Sequence, residues 1–313
     1  MREKRLYNLS ILIKILGAVA FFSSCSGMSI LNPKGPIGKD ESFLIYMAFA
    51  LMLIVVIPVF VMAFWFARRY RASNKKATYK PQWGHSTVIE LFIWLIPVAI
   101  IAVLSWLTWT RTFKLDPYKP LKGKNQSLRV EVVSTDWNYL FIYPDYNIAI
   151  VNELIIPSNT PLSFRLTSST VMTSFFIPQL GSQIYAMAGM QTWLHLMAED
   201  TGTYRGQNME FSGPGYHTMH FKVITETPEE FSKWVDKAKQ SPDSLSMDEY
   251  SKINQPVMNY PITTYSSVIP NLFDHIMSPF MDWMGKHDKM KMNHTHSGHQ
   301  NASECEKNNK QVK

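Results

Sequence analysis

Three groups of side chains in this sequence carry chemistry beyond what folding needs. Glu90 sits in VIELFIWLIPV, a carboxyl group at the start of an otherwise apolar run. An ionisable group inside a membrane-length segment is costly to keep and points to proton or ion handling. Its plain alternative is a first-turn carboxylate favoured by the helix dipole. His85, just upstream, is either a second protonatable group or an ordinary loop residue, and its position favours the loop. Cys25 follows Ser23 and Ser24 where a short apolar stretch ends, so its thiol is a candidate for modification. The third group is His195, His217 and His220 together with Met172, Met187, Met190, Met197 and Met209. These are metal-binding residue types, but methionine also fills irregular apolar gaps. The methionines therefore read as core or interface, and the histidines as surface or sheet residues. Near the C-terminus, His287, Met290, Met292, His294, His296 and His299 could hold copper or zinc loosely. Ligands without fixed geometry select no particular metal, so the stretch reads first as a solvated, disordered tail.

The elements that must position these groups are partly membrane-embedded. Of 313 residues, 46% are hydrophobic and 18% charged, which excludes a disordered chain. The net charge of +7 is concentrated near the N-terminus and in RRYRASNKKATYKPQWGHS, whose six basic residues meet no acid. Residues 111–313 are close to neutral, so no basic face for nucleic acid is expected. Crossing a bilayer takes about 20 apolar residues. Phe43–Ala67 and Val88–Thr110 both qualify, with Trp65, Trp106 and Trp109 near their ends and Pro58 and Pro97 inside them. The positive-inside rule puts the loop 68–87 in the cytoplasm, so both ends of the mature chain are expected in the periplasm. Residues 1–24 read as a secretory signal with basic Arg2, Lys4 and Arg5. Ser23-Ser24-Cys25 fits the lipobox of bacterial lipoproteins, in which the cysteine carries diacylglycerol and, after cleavage, an acyl group such as palmitate.

From Leu128 the periodicity is that of strands. LRVEVVST, WNYLFIY, PLSFRLT, TSFFIP, TWLHLMA and HTMHFKVI are separated by turn residues such as Pro144-Asp145 and Gly213-Pro214-Gly215. Six or more such strands imply an all-β sandwich or barrel, expected over 111–225. A helical extension follows over 226–285. In it Thr227 and Pro228 start one helix, bearing Phe231, Trp234 and Val235 on one face. A second begins at Pro270 with Phe273, Ile276, Phe280 and Trp283, an apolar face for a partner or the membrane surface.

Taken together, NPKGPIG, RRYRASNKKATY, HSTVIELFIWLIPV, VVSTDWNYLFIYP and SFFIPQLGSQIYAMAGMQ resemble subunit II of the haem–copper respiratory oxidases, and within them subunit II of the bo-type ubiquinol oxidases. The resemblance covers roughly 32–225. It implies a two-helix hairpin carrying a cupredoxin-like periplasmic sandwich in the bacterial inner membrane. The implied partners are subunit I, which would hold haem and copper, further subunits and membrane lipid. The implied activity is oxidation of ubiquinol with reduction of oxygen to water and outward proton movement. In H-S-T-x-x-E the resemblance places Glu90 at the entrance of a proton-uptake route.

In the cytochrome c oxidases of this superfamily the sandwich holds the dinuclear copper centre CuA, through a histidine before SF and C-x-E-x-C-x-x-x-H-x-x-M. Here Thr173 stands at the first histidine, Asn208 and Ser212 at the two cysteines and Tyr216 at the second histidine. Only Glu210 and Met219 match. Without bridging thiolates no such centre is expected, and this chain is expected to bind no cofactor and to receive no electrons from cytochrome c. Near-neutrality of 111–313 agrees, since a basic cytochrome favours an acidic face. Trp137, which the resemblance places on the electron-entry side, then reads as an aromatic in the sheet. Arg129, Asp136 and Glu153 are candidates for pairing with subunit I. Two other readings are a cytochrome c oxidase subunit II and a membrane-anchored cupredoxin-like copper-binding lipoprotein using its His/Met tail.

Overall fold

Apolar length decides the first element pair. The computed structural model describes residues 28–280 except 77, 79–81 and 124, and divides the chain into units meeting at Asp116 and Pro117. The first contains α1 (Pro36–Arg69) and α2 (Thr87–Lys114), both long and apolar enough to span a membrane. Pro36 at the first helical position lacks only an N–H that would be unpaired there anyway. Pro58 and Pro97 lie within the helices. Both helices outrun the spans 43–67 and 88–110, because their hydrogen bonding continues into polar end turns. There Asp40 pairs with Arg111 and with Lys114, each at 2.6 Å. The two cations lie in the last turn of α2, where the helix dipole favours positive charge. No side chain of α2 is buried within this chain. A helix apolar on every side needs lipid or other helices around it. The signal segment, Cys25, Trp283 and the histidine- and methionine-containing tail lie outside the described residues.

The described residues of the second unit form eleven strands: β1 (Leu128–Ser134), β2 (Tyr139–Tyr143), β3 (Ile148–Val151), β4 (Glu153–Pro157), β5 (Leu162–Ser168), β6 (Thr173–Ile177), β7 (Gly181–Ala186), β8 (Thr192–Leu196), β9 (Gly202–Gln207), β10 (His220–Glu226) and β11 (Thr264–Tyr265). One sheet runs β11-β3-β2-β1-β5-β8 and the other β4-β10-β9-β6-β7. Alternation turns Val130, Val132, Tyr139, Phe141, Phe164, Phe175 and Phe221 into the core between them. The rings of Phe175 and Phe221 stack at 5.2 Å. Each such side chain contributes about 1.5–3 kcal/mol by leaving water. Gly206 is required on β9, because a Cβ there would overlap the Phe221 ring.

The residues after β10 form helices, as expected, and also return a strand to the first sheet. α3 (Pro228–Ala238) opens with a complete capping box between Thr227 and Glu230 and buries Phe231 and Val235, an arrangement worth about 1 kcal/mol at the cap. The chain then runs through α4 (Met247–Ile253), returns as β11 beside β3, and is helical again over 272–280 (α5). Leu245, Tyr250, Ile253, Tyr265, Leu272, Phe273, Ile276 and Met277 form a second core with Val133, Leu140, Ile142, Ala149 and Val151 on the outer face of the first sheet. The apolar face of α5, expected to meet a partner or the membrane, is thus covered by this chain's own sheet. The physical reason is that β2 and β3 are apolar on both faces, and only the extension hides the second one.

Candidate functional site

Five of the six positions corresponding to copper ligands, Asn208, Glu210, Ser212, Tyr216 and Met219, lie in the loop between β9 and β10, and Thr173 opens β6. Asn208 is the hub of that loop and is buried. Its Oδ1 accepts from the backbone N–H groups of Ser174 at 2.8 Å and Glu210 at 2.9 Å, and from the Ser174 hydroxyl at 3.2 Å. Its Nδ2 donates towards the Glu210 carbonyl at 2.8 Å, Ser212 Oγ at 3.1 Å and Met219 Sδ at 3.2 Å. Asn208 therefore touches Ser212, Met219 and the carbonyl of Glu210, three of the positions the copper motif would use. Thr173 is fully buried and donates to Ser134 Oγ at 2.7 Å, away from this hub. Tyr216 lies tilted against exposed Phe211, with ring centroids 6.0 Å apart and planes at 52°.

This set does not fit a dinuclear copper centre. Such a centre needs thiolate lone pairs, whereas the hub presents N–H and O–H donors that already have acceptors. An amide here does what a metal does elsewhere, tying one loop to β6 and to Met219. Asn208→Leu keeps the volume but strands the Ser174 and Glu210 donors. Each buried unpaired group costs about 1–3 kcal/mol, so a destabilisation of about 3 kcal/mol is expected in denaturant unfolding. A change below about 1 kcal/mol would show the hub to be dispensable.

Trp137 is not in the sheet. It occupies the turn between β1 and β2 with φ 73°, a conformation costing a bulky residue about 1–3 kcal/mol. Its indole N–H donates to the Ser212 carbonyl at 3.0 Å. A Cβ at Gly215 would overlap its ring, so glycine is needed there for close approach. Trp137 thereby belongs to the same loop cluster, a link between positions 75 residues apart that no local pattern announces.

The histidines do not assemble. His195 faces the Pro117 carbonyl through Nδ1 at 3.0 Å and Ser163 Oγ through Nε2 at 3.3 Å. His217 is exposed, with Nδ1 3.1 Å from the Pro214 carbonyl. His220 is exposed on β10, where partial burial and then the Arg205 charge hold its imidazole below the usual range. Among the described residues no three His, Cys, Asp or Glu side chains lie close enough to share a metal ion. None of the five methionines is core: Met172, Met190 and Met209 are exposed, and Met187 and Met197 are half-buried. Sequence periodicity could not place them, because all five lie at strand ends or in loops.

The three charged residues expected to meet subunit I have partners within this chain. Arg129 pairs with Asp145 at 2.7 Å, Asp136 accepts from Thr170 at 2.7 Å, and Glu153 lies 3.9 Å from Lys222. Residues that pattern reading missed are Arg165, Asn138 and Asn152. Arg165 bridges Glu131 at 3.2 Å and Asp274 at 2.6 Å and lies over the Phe273 ring at 4.3 Å. Burial pushes the Glu131 carboxyl up, against the opposing pull of Arg165. Buried Asn138 donates to the Val257 carbonyl at 2.7 Å, and Asn152 to the Tyr260 carbonyl at 2.9 Å, pinning the returning segment.

In the first unit, Glu90 lies in the first turn of α2, and its Oε1 is 2.5 Å from His85 Nδ1. His85, in the loop before α2, is thus in hydrogen-bond contact with the acid of the span. Both side chains are exposed on this chain.

Against known proteins, the family described as cytochrome c oxidase subunit II, periplasmic domain, matches residues 128–226, and the COX aromatic rich motif matches residues 239–284. Cytochrome bo(3) ubiquinol oxidase subunit 2 of Pseudomonas aeruginosa is 51% identical over 253 residues, covering 81% of this chain and 76% of that protein. The protein of the same name from Pseudomonas putida is 46% identical over 280 residues, with 90% and 88% covered. Ubiquinol oxidase subunit 2 of Acetobacter aceti is 44% identical over 271 residues, with 86% and 88% covered.

Proposed function

Because this chain belongs to the family of ubiquinol oxidase subunit 2 proteins, we propose that it works in a proton-translocating complex that takes electrons from ubiquinol and gives them to oxygen. Two quinols supply the four electrons that reduce one oxygen molecule to two waters, and their protons leave on the outer side. The haems and copper that carry those electrons belong to the partner subunit I. The observation that carries the reading is the Asn208 hub, with amide and hydroxyl donors where a copper relay would need thiolates. A water-soluble one-electron donor needs a metal relay in this domain. A lipid-soluble quinol reaches its acceptor from the bilayer and needs none.

In this reading the hairpin crosses the inner membrane with its basic loop 68–87 in the cytoplasm and the sandwich in the periplasm, and Cys25 carries the lipid anchor. Glu90 and His85 then stand at the cytoplasmic end of α2. Water protonates the His85 imidazole, which donates that proton to the Glu90 carboxylate across a 2.5 Å contact, and the carboxyl passes it towards subunit I, leaving a carboxylate and a neutral imidazole ready for the next proton. The rest of the chain caps and stabilises subunit I.

The test is oxygen uptake by the purified complex with ubiquinol and, separately, with reduced cytochrome c. Uptake with quinol alone is the expected result. Uptake driven by cytochrome c, or a near-infrared copper band from this chain, would overturn the copper-free assignment.

A further inference from the structure

The two sheets differ in what covers them. The outer face of β1–β3 lies beneath the returning extension, and α3 packs on β4 and one side of β10. The β9 and β10 face beyond it stays open, with Thr203, Arg205, His220 and Lys222 all exposed. Arg205 stands directly opposite Lys222 in the antiparallel register, with His220 opposite the neighbouring Gln207. Like charges directly opposite one another on a sheet destabilise it. Lys222 has Glu153 at 3.9 Å on its far side, on β4. Arg205 makes no ion pair among the described residues.

Two clefts adjoin this pair. One, of about 380 Å³, is lined by Gln179, Thr203, Arg205, His220 and Lys222. The other, of about 230 Å³, shares His220 and Lys222 and reaches Thr218 and Tyr260. Among the described residues, no carboxylate lines either cleft. An uncompensated guanidinium, an ammonium and neutral donors therefore surround one concavity whose repulsion an anion would relieve.

We propose that this face binds a phosphate group, with Arg205 as its fork and Lys222 as its second charge. Guanidinium matches two phosphate oxygens at once, and lysine adds a point charge. A carboxylate is satisfied by the arginine fork alone. A tetrahedral phosphate has further oxygens for Lys222 and for the Gln179 amide or Thr203 hydroxyl, which approach from a different direction. The phosphate is either free inorganic phosphate or the phosphodiester of an anionic lipid headgroup. The site is independent of the electron and proton roles above.

The experiment is calorimetric titration of the intact complex in phosphatidylcholine nanodiscs at constant ionic strength. The probes are inorganic phosphate, glycerophosphoglycerol as a deacylated headgroup, and polyglutamate. Saturable binding of phosphate or glycerophosphoglycerol is expected, weakened at least tenfold by Arg205→Gln and by Lys222→Gln, weakened less by Arg205→Lys, which keeps the charge but loses the fork, and unchanged in Lys252→Gln on α4. Tighter binding of inorganic phosphate identifies the free anion, and tighter binding of glycerophosphoglycerol the lipid. Without any anion, Arg205→Gln should melt no lower than the parent, because it removes the opposed charge, so lost binding there is not lost folding. Equal affinity in parent and Arg205→Gln, saturable binding of polyglutamate alone, or no saturable binding of any probe would overturn the proposal.

Discussion

Replacing Glu90 by Gln is expected to lower ubiquinol-driven oxygen uptake by about a hundredfold, the low end for losing a positioned proton-transfer group. Glutamine keeps the size and hydrogen-bonding capacity of the side chain but has no proton to pass. The helix should survive, because Glu90 is exposed and its backbone N–H still bonds Ser86 at 3.0 Å. The result is therefore read at unchanged subunit content and unchanged haem spectrum. His85→Ala should give a smaller loss, because the Glu90 carboxyl itself is retained. Uptake by Glu90→Gln equal to that of the parent complex would reduce Glu90 to a first-turn carboxylate serving the helix dipole.

Phe273→Ala is expected to cost about 3–5 kcal/mol, the range for removing a buried aromatic. Phe273 is 1% exposed. It fills the second core and also carries the Arg165 guanidinium on its ring. Losing the ring opens a cavity and frees Arg165 from one of the contacts that join β5 to α5, so the extension should loosen first. Hydrogen exchange over residues 239–280 of the full chain should rise while the Phe175 and Phe221 strands stay protected. Uniform exchange across the unit, or an unchanged melting temperature, would mean that the extension is not a separately held layer.

Much of this architecture was legible because its causes are local. Six strands announced themselves by alternation between turn residues. The others were hidden for identifiable reasons. IAIVNELIIP reads as one apolar run, yet Asn152 at φ 59° breaks it into β3 and β4 in different sheets. β7 and β9 contain glycine and polar residues that weaken the strand pattern. β11 has two residues and exists only because β3 offers an edge. At the site, the missing thiolates were visible at once from their positions in the motif. The Asn208 hub was not, because its Ser174 partner lies 34 residues away on β6 and no local pattern brings the two together.

The sequence by itself determined the two apolar spans, the basic loop between them, the change to strand periodicity at Leu128 and the residues at the copper positions. Each depends on composition or spacing within a short window, and hydrophobic length and side-chain chemistry need no tertiary context. Only the tertiary structure decided that Asn208 ties the loop together, that Trp137 leaves the sheet for a strained turn against Gly215, that His85 meets Glu90, and that the extension returns to cover the first sheet. Those outcomes rest on contacts such as Asn138 with Val257, 119 residues apart, where burial and hydrogen-bond satisfaction are settled by which surfaces meet.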